Sequence, residues 1–175
     1  MNLPNKLTIL RIILIPVFII FLMMGFDYIA AIIFIVASAT DALDGHIARK
    51  YNLITNFGKI MDPLADKLLV VSALICLVEL GQVAGWMVIV ILAREFTVTG
   101  LRTVAAAQGI VIAAGWSGKV KTVLQMVAVI FLLLNNWPFS MIHFPFASIM
   151  LWGAVIMTII SGTEYIIKNK NVFSM

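Results

Sequence analysis

Four aspartates between positions 41 and 66 stand in a chain that is otherwise mostly hydrocarbon, and their spacing could do chemistry. Asp41, Asp44, Gly45 and Ala48 fall at i, i+3, i+4 and i+7, so on a helix they share one face. Asp62 and Asp66, at i and i+4, share a face in the same way. Asp44 and Asp62 lie nine residues either side of Leu53. A helical hairpin turning there brings Asp44 level with Asp62, and Asp41 nearly level with Asp66. Four carboxylates at one depth repel one another unless cations sit among them. Hard divalent cations with oxygen ligands meet that need. Two such ions could grip a diphosphate, neutralise its charge and stabilise a leaving phosphate. Gly45 and Ala48 have almost no side chain and leave room for a flat group, such as a base, against the helix backbone. Close helix packing uses the same small residues, but beside two aspartates the binding role is favoured.

The whole pattern is D-A-L-D-G-H-I-A-R from Asp41 to Arg49, eight residues, then G-K-I-M-D-P-L-A-D from Gly58 to Asp66. It resembles the signature of the CDP-alcohol phosphotransferase family at every fixed position. The resemblance implies a site of two divalent cations, Mg²⁺ or Mn²⁺, held by Asp41, Asp44, Asp62 and Asp66. Asp66 would also take the proton from an acceptor hydroxyl, which attacks the β-phosphorus of a CDP-linked donor and expels CMP. The same resemblance assigns the nucleotide to Gly45, Ala48, Arg49 and Gly58. Asn5 and Thr8 match an N-terminal polar pair near that nucleotide.

A second group is basic. Arg94 and Arg102 are expected on the fourth helix, Lys119 and Lys121 at the entry to the fifth. An acceptor that carries its own phosphate needs such donors, because Arg and Lys bind phosphate oxygens through charge-assisted hydrogen bonds. Lys119 and Lys121 are also placed where ordinary membrane anchors sit. Arg94 and Glu95 are neighbours about 100° apart around a helix, so they are not a simple i, i+4 pair. The stretches R-E-F, G-L-R and G-K-V-K-T resemble the branch of the family that joins CDP-diacylglycerol to glycerol 3-phosphate.

The elements that must carry these residues are membrane helices. The chain has 175 residues, 63% hydrophobic and 11% charged, whereas soluble domains average roughly 45–50% and 25%. Apolar runs predict an all-α, multi-pass domain over 1–175, with six spans near 9–25, 28–49, 58–80, 86–107, 119–136 and 144–167. Residues 1–8 read as a turn or the start of a short helix on the membrane surface. Pro63 is expected close enough to its helix start to be tolerated. One cysteine, Cys76, excludes a disulfide framework. G-W-S-G-K-V-K-T lacks the spacing of a phosphate-binding loop.

With the N-terminus inside, Lys6, Arg11, Arg49, Lys50, Lys59, Arg102, Lys119, Lys121, Lys168 and Lys170 fall on the cytoplasmic side, and the opposite turns hold Asp27 and Glu79. This predicts a protein of the inner (plasma) membrane with its site facing the cytoplasm. The partners expected are CDP-diacylglycerol, glycerol 3-phosphate and membrane lipid, with a homodimer implied by the family and no nucleic acid. Serine, inositol phosphate or phosphatidylglycerol as acceptor are alternatives within the same chemistry. An intramembrane prenyltransferase should carry aspartate motifs on two separate helix pairs. A divalent-cation transporter would leave Gly45, Ala48, Arg49 and the basic group without a role.

Overall fold

The computed structural model describes residues 2–50, 56–107, 109–110, 112–113 and 115–169. Among them are six α-helices and no strand: α1 Leu3–Met23, α2 Asp27–Lys50, α3 Asn56–Glu79, α4 Gly85–Ala107, α5 Trp116–Leu133 and α6 Phe146–Lys168. A 3-10 turn, Phe139–Ile142, precedes α6. The all-α class and the six expected segments are present, with their ends moved by a few residues.

The largest move is at the N-terminus, where the helix already begins at Leu3. The Asn2 side chain accepts the Asn5 backbone N–H at 3.3 Å, and Pro4 sits in the first turn, where no N–H donor is required. Asn5 and Thr8 are therefore helical positions rather than part of a surface turn. Pro63 also departs from expectation. It is seven residues into α3, in the helix interior. Its missing N–H leaves the carbonyl of residue 59, three positions before Asp62, without its usual intrahelical donor.

The chain forms two compact units: 1–82 with 130–137, and 83–129 with 138–175. In the first, α1 packs against both α2 and α3, and α2 against α3. Ala30, Ala31 and Ala37 are fully buried on α2, and small residues let helix backbones approach closely. Phe18 and Phe34 fill the space between, ring centroids 5.8 Å apart. Gly25, at φ +81°, turns α1 into α2. In the second unit α4 packs on α6 around Val98, Leu101 and Tyr165, and Trp86 meets Trp152 at 5.6 Å.

Asn5–Met23, Trp116–Leu133 and Phe146–Lys168 are each long and apolar enough to cross a bilayer, and Asp27–Thr40 is a shorter apolar helix. The apolar run of α4 is interrupted by Arg94, Glu95 and Arg102. Large apolar side chains such as Ile13, Ile32, Ile89 and Phe96 are more than half exposed, the pattern of a protein whose surroundings are lipid. Several hydroxyls are satisfied within their own helices: Ser38 bonds the Phe34 carbonyl and Thr158 the Ala154 carbonyl.

Candidate active site

Asp62 and Asp66 lie on one face of α3, both partly buried, and Ala65 and Leu69 beside them are buried. The Thr8 hydroxyl donates to the Asp62 carboxylate. Thr8 has no exposed surface, and Asn5, one turn before it on α1, is buried. The packing of α1 on α3 thus brings one member of the expected nucleotide pair onto a motif aspartate, 54 positions away in sequence. Gly58 is buried near the start of α3. The backbone of α2 runs through Asp41, Asp44, Gly45, Ala48 and Arg49 to Lys50. The side chains of those five, and the turn near Leu53, lie outside the described residues. The levelling of Asp44 with Asp62 therefore lies outside them too.

Among the described residues no group of three or more metal-binding side chains is assembled. The described donors, Asp62 and Asp66 with the Thr8 hydroxyl beside them, are all oxygen. Such a set fits a hard divalent cation and does not suit a soft one.

Sequence reading treated Arg11 as a cytoplasmic-end cation and missed its burial. It is fully buried, and its Nε donates to the Ala37 carbonyl at 3.3 Å. Its i, i+3 spacing from Thr8 was the signal available: both fall on the face of α1 that meets the aspartate helices.

The second unit holds a cavity of about 160 Å³, lined among others by Arg94, Arg102, Ser117, Ser161, Glu164 and Lys168. Arg94 enters it from α4. Its Nε donates to the Ser161 hydroxyl at 3.1 Å and its Nη1 meets Glu95 Oε1 at 3.1 Å. Adjacent residues on a helix do pair here, because both side chains are long enough to bend toward one another. Two glycines make room for Arg94. A Cβ at Gly162 would stand 3.1 Å from Arg94 Cγ, and one at Gly118 3.1 Å from Arg94 Nη2.

Arg102 donates to the Tyr165 hydroxyl at 3.1 Å, and its guanidinium lies 5.4 Å from the centre of that ring. Lys121 is 3% exposed and paired with the same Glu95 oxygen, and it does not line the cavity. Lys119 is exposed and does not line it either. Lys168 lines it and was counted only among the cations of the cytoplasmic side; it pairs with Glu164, which also accepts from Ser117. The overlooked signal was a polar stripe on an apolar helix, Thr158, Ser161 and Tyr165 at i, i+3 and i+7, all buried.

A helical membrane protein with paired aspartates opening one helix and a cation-lined cavity elsewhere fits enzymes that handle phosphate esters of lipids. The chain belongs to the CDP-alcohol phosphatidyltransferase family, whose model matches residues 1–160. It is 53% identical to the CDP-diacylglycerol–glycerol-3-phosphate 3-phosphatidyltransferase of Bacillus subtilis (strain 168), over 96% of this chain and 95% of that one. It is 43% identical to the enzyme of the same name in Rickettsia felis, over 98% and 97%. It is 40% identical to a probable phosphatidylglycerophosphate synthase of Mycobacterium tuberculosis (strain ATCC 25618 / H37Rv), over 95% and 81%.

Proposed function

We propose that this membrane enzyme transfers the phosphatidyl group of CDP-diacylglycerol to glycerol 3-phosphate, giving phosphatidylglycerol phosphate and CMP in phospholipid synthesis. Relatives at 40–53% identity over nearly the whole chain carry that activity in their names. One observation of the molecule carries the acceptor assignment: the cavity of the second unit, where Arg94, Arg102 and Lys168 converge in about 160 Å³. A phosphate ester of a small alcohol is what three such cations in a small space would hold. Serine has no phosphate to use them, and phosphatidylglycerol offers a diester of lower charge.

Asp41, Asp44, Asp62 and Asp66 would hold two divalent cations, Mg²⁺ or Mn²⁺, which when bound neutralise the diphosphate and ease departure of CMP. The chain's own residues do the rest. Gly45, Ala48, Arg49 and Gly58 accept the nucleotide, with Asn5 and Thr8 beside it. Thr8 also fixes the rotamer of Asp62 by donating to it. Asp66 takes the proton from the glycerol hydroxyl as the new O–P bond forms, so a weak base suffices. Arg94 and Arg102 hold the acceptor's phosphate, and Lys119 and Lys121 raise the positive potential around it. The lipid tails stay in the bilayer, with the site open to the cytoplasm of an inner-membrane homodimer.

Purified protein with CDP-diacylglycerol should release CMP with glycerol 3-phosphate and much less with serine, inositol phosphate or phosphatidylglycerol. Equal use of serine overturns the acceptor assignment. No CMP release with any acceptor returns the prenyltransferase and the cation transporter to consideration. Orientation is checked separately by labelling single cysteines at positions 56 and 135 in a variant lacking Cys76. Position 56 should label only from the cytoplasmic side and position 135 only from the other.

A further inference from the structure

Among the described residues Arg11 is the largest side chain with no exposed surface, and it belongs to a helix long and apolar enough to cross a bilayer. A guanidinium keeps its proton in any protein environment, so burial cannot neutralise it. A buried cation without a counter-charge is strongly destabilising, and an ionisable group at membrane depth signals function. The Ala37 carbonyl supplies a dipole to Nε at 3.3 Å and no charge.

Helix register identifies the counter-charge. Thr8 is five residues into α1 and Asp62 six into α3, and they bond to one another. The two helices therefore enter the unit together and run in the same direction. Arg11 is three residues beyond Thr8 and Asp66 four beyond Asp62. At 1.5 Å per residue these steps are about 4.5 and 6 Å, so Arg11 and Asp66 reach the same depth. On α2, which runs the other way, the Arg11 partner Ala37 lies four residues before Asp41, about one turn deeper. The other acidic residues of this unit lie far along their helices. Asp27 is ten residues from Ala37, and Glu79 thirteen from Asp66, about 15 and 20 Å. Asp27 is also bonded by Asn135.

We propose that Arg11 is the built-in counter-charge of the aspartate site. It is a positioning residue at the floor of the site that keeps the carboxylates, Asp66 first, together before any cation arrives. This rests on reading the four aspartates as the cation site. It carries a trade-off. A fixed positive charge stabilises the cation-free cluster and weakens cation binding, because like charges repel. Metals can then enter and leave a site that is already assembled.

Thermal unfolding of the purified full chain in EDTA and in graded Mg²⁺ tests it. In EDTA, Arg11→Met should lower Tm by at least about 5 °C, although the new side chain is apolar and of similar length. Arg11→Lys should recover most of that loss. Adding Asp66→Asn to Arg11→Met should also recover it, since the carboxylate left without a counter-charge is gone. In Mg²⁺, Arg11→Met should approach the wild type, with a half-saturating concentration at least about ten-fold lower.

A role in packing alone predicts equal losses with and without Mg²⁺ and no recovery by Asp66→Asn; in a wild type that responds to Mg²⁺, either result overturns the proposal. If Arg11→Met does not accumulate, the double variant against Asp66→Asn alone decides. The proposal requires their EDTA Tm values to agree within about 2 °C, and a double variant as unstable as Arg11→Met sinks it. A wild type whose Tm ignores Mg²⁺ counts against the aspartates as a cation site, while the EDTA comparisons still decide the role of Arg11.

Discussion

The two polar clusters of this protein solve the problem of charge in an apolar chain in opposite ways. In the first unit, negative charge is concentrated on α2 and α3, and Arg11 is buried against α2. In the second, positive charge is laced with carboxylates. Glu95 holds both Arg94 and Lys121, and Glu164 holds Lys168. In the proposed function the first cluster is completed by outside cations. The second is nearly self-neutralised and keeps a modest positive surplus around a cavity. The difference matches what each is proposed to bind. A metal–diphosphate complex brings its own charges, whereas a small phosphate ester needs a few donors held in place. A cluster that depends on an external ion should fail abruptly when one ligand is lost. A cluster balanced from within should weaken in steps.

The sharpest break is expected at the aspartates. Asp66→Asn removes ligand and base together and Asp62→Asn removes a ligand. Each should lower CMP release by at least about 10²-fold, since a general base alone contributes roughly 10²–10⁴-fold. Circular dichroism should show that the fold persists. If Asp66→Asn keeps more than about a tenth of wild-type turnover, the base role is wrong.

The next effect separates balance from binding in the second unit. Glu95→Gln leaves Lys121, 3% exposed, without its carboxylate. Breaking a buried pair from one side typically costs about 3–5 kcal/mol. The variant should therefore show a depressed Tm in detergent, whatever its kinetics. An unchanged Tm means that Lys121 reaches water or another acceptor.

Smaller and purely kinetic changes are expected at the cavity wall. A charge-assisted hydrogen bond contributes about 1.5–3 kcal/mol, so Arg94→Gln or Arg102→Gln should raise the KM for glycerol 3-phosphate roughly ten-fold to a hundred-fold. The KM for CDP-diacylglycerol should move much less. Lys168, 71% exposed and paired on the surface, should matter only a few-fold when changed to Gln. Parallel rises in both KM values would mean that the two clusters do not divide the substrates between them.

The smallest effect tests how tightly Arg94 is seated. Gly162→Ala puts a methyl 3.1 Å from Arg94 Cγ, and the side chain must shift. Overpacking of this kind typically costs about 1–3 kcal/mol, so the acceptor KM should rise a few-fold. Gly153→Ala on the same helix meets Leu124 at an ordinary 3.5 Å and should leave KM unchanged. Equal effects at the two glycines would show a general response of α6 rather than the seating of Arg94.

Much of this protein was legible in its residue order. Helix-length apolar runs need no partner to be recognised, because a backbone in lipid must bond within its own segment. The aspartate pairs were legible for a similar reason: i, i+4 spacing is local geometry, and family membership follows from it together with Gly45, Ala48, Arg49 and Gly58. Local rules also erred locally. Asn2 and Pro4 open a long helix where a turn or the start of a short one was expected, and Pro63 proved interior.

What the order of residues could not give were pairings across helices, since each depends on rotation and register between segments far apart in sequence. Thr8 meeting Asp62, Ser161 reaching Arg94 and Ser117 holding Glu164 span 54, 67 and 47 positions. The same dependence decided the fate of the cations. By composition, Arg11, Lys121 and Lys168 are alike, one positive charge each near a helix end. Packing buried Arg11 against α2, tied Lys121 to Glu95 and left Lys168 on the rim of a cavity. A charge acquires its role from the groups that surround it, and only the tertiary structure brings them there.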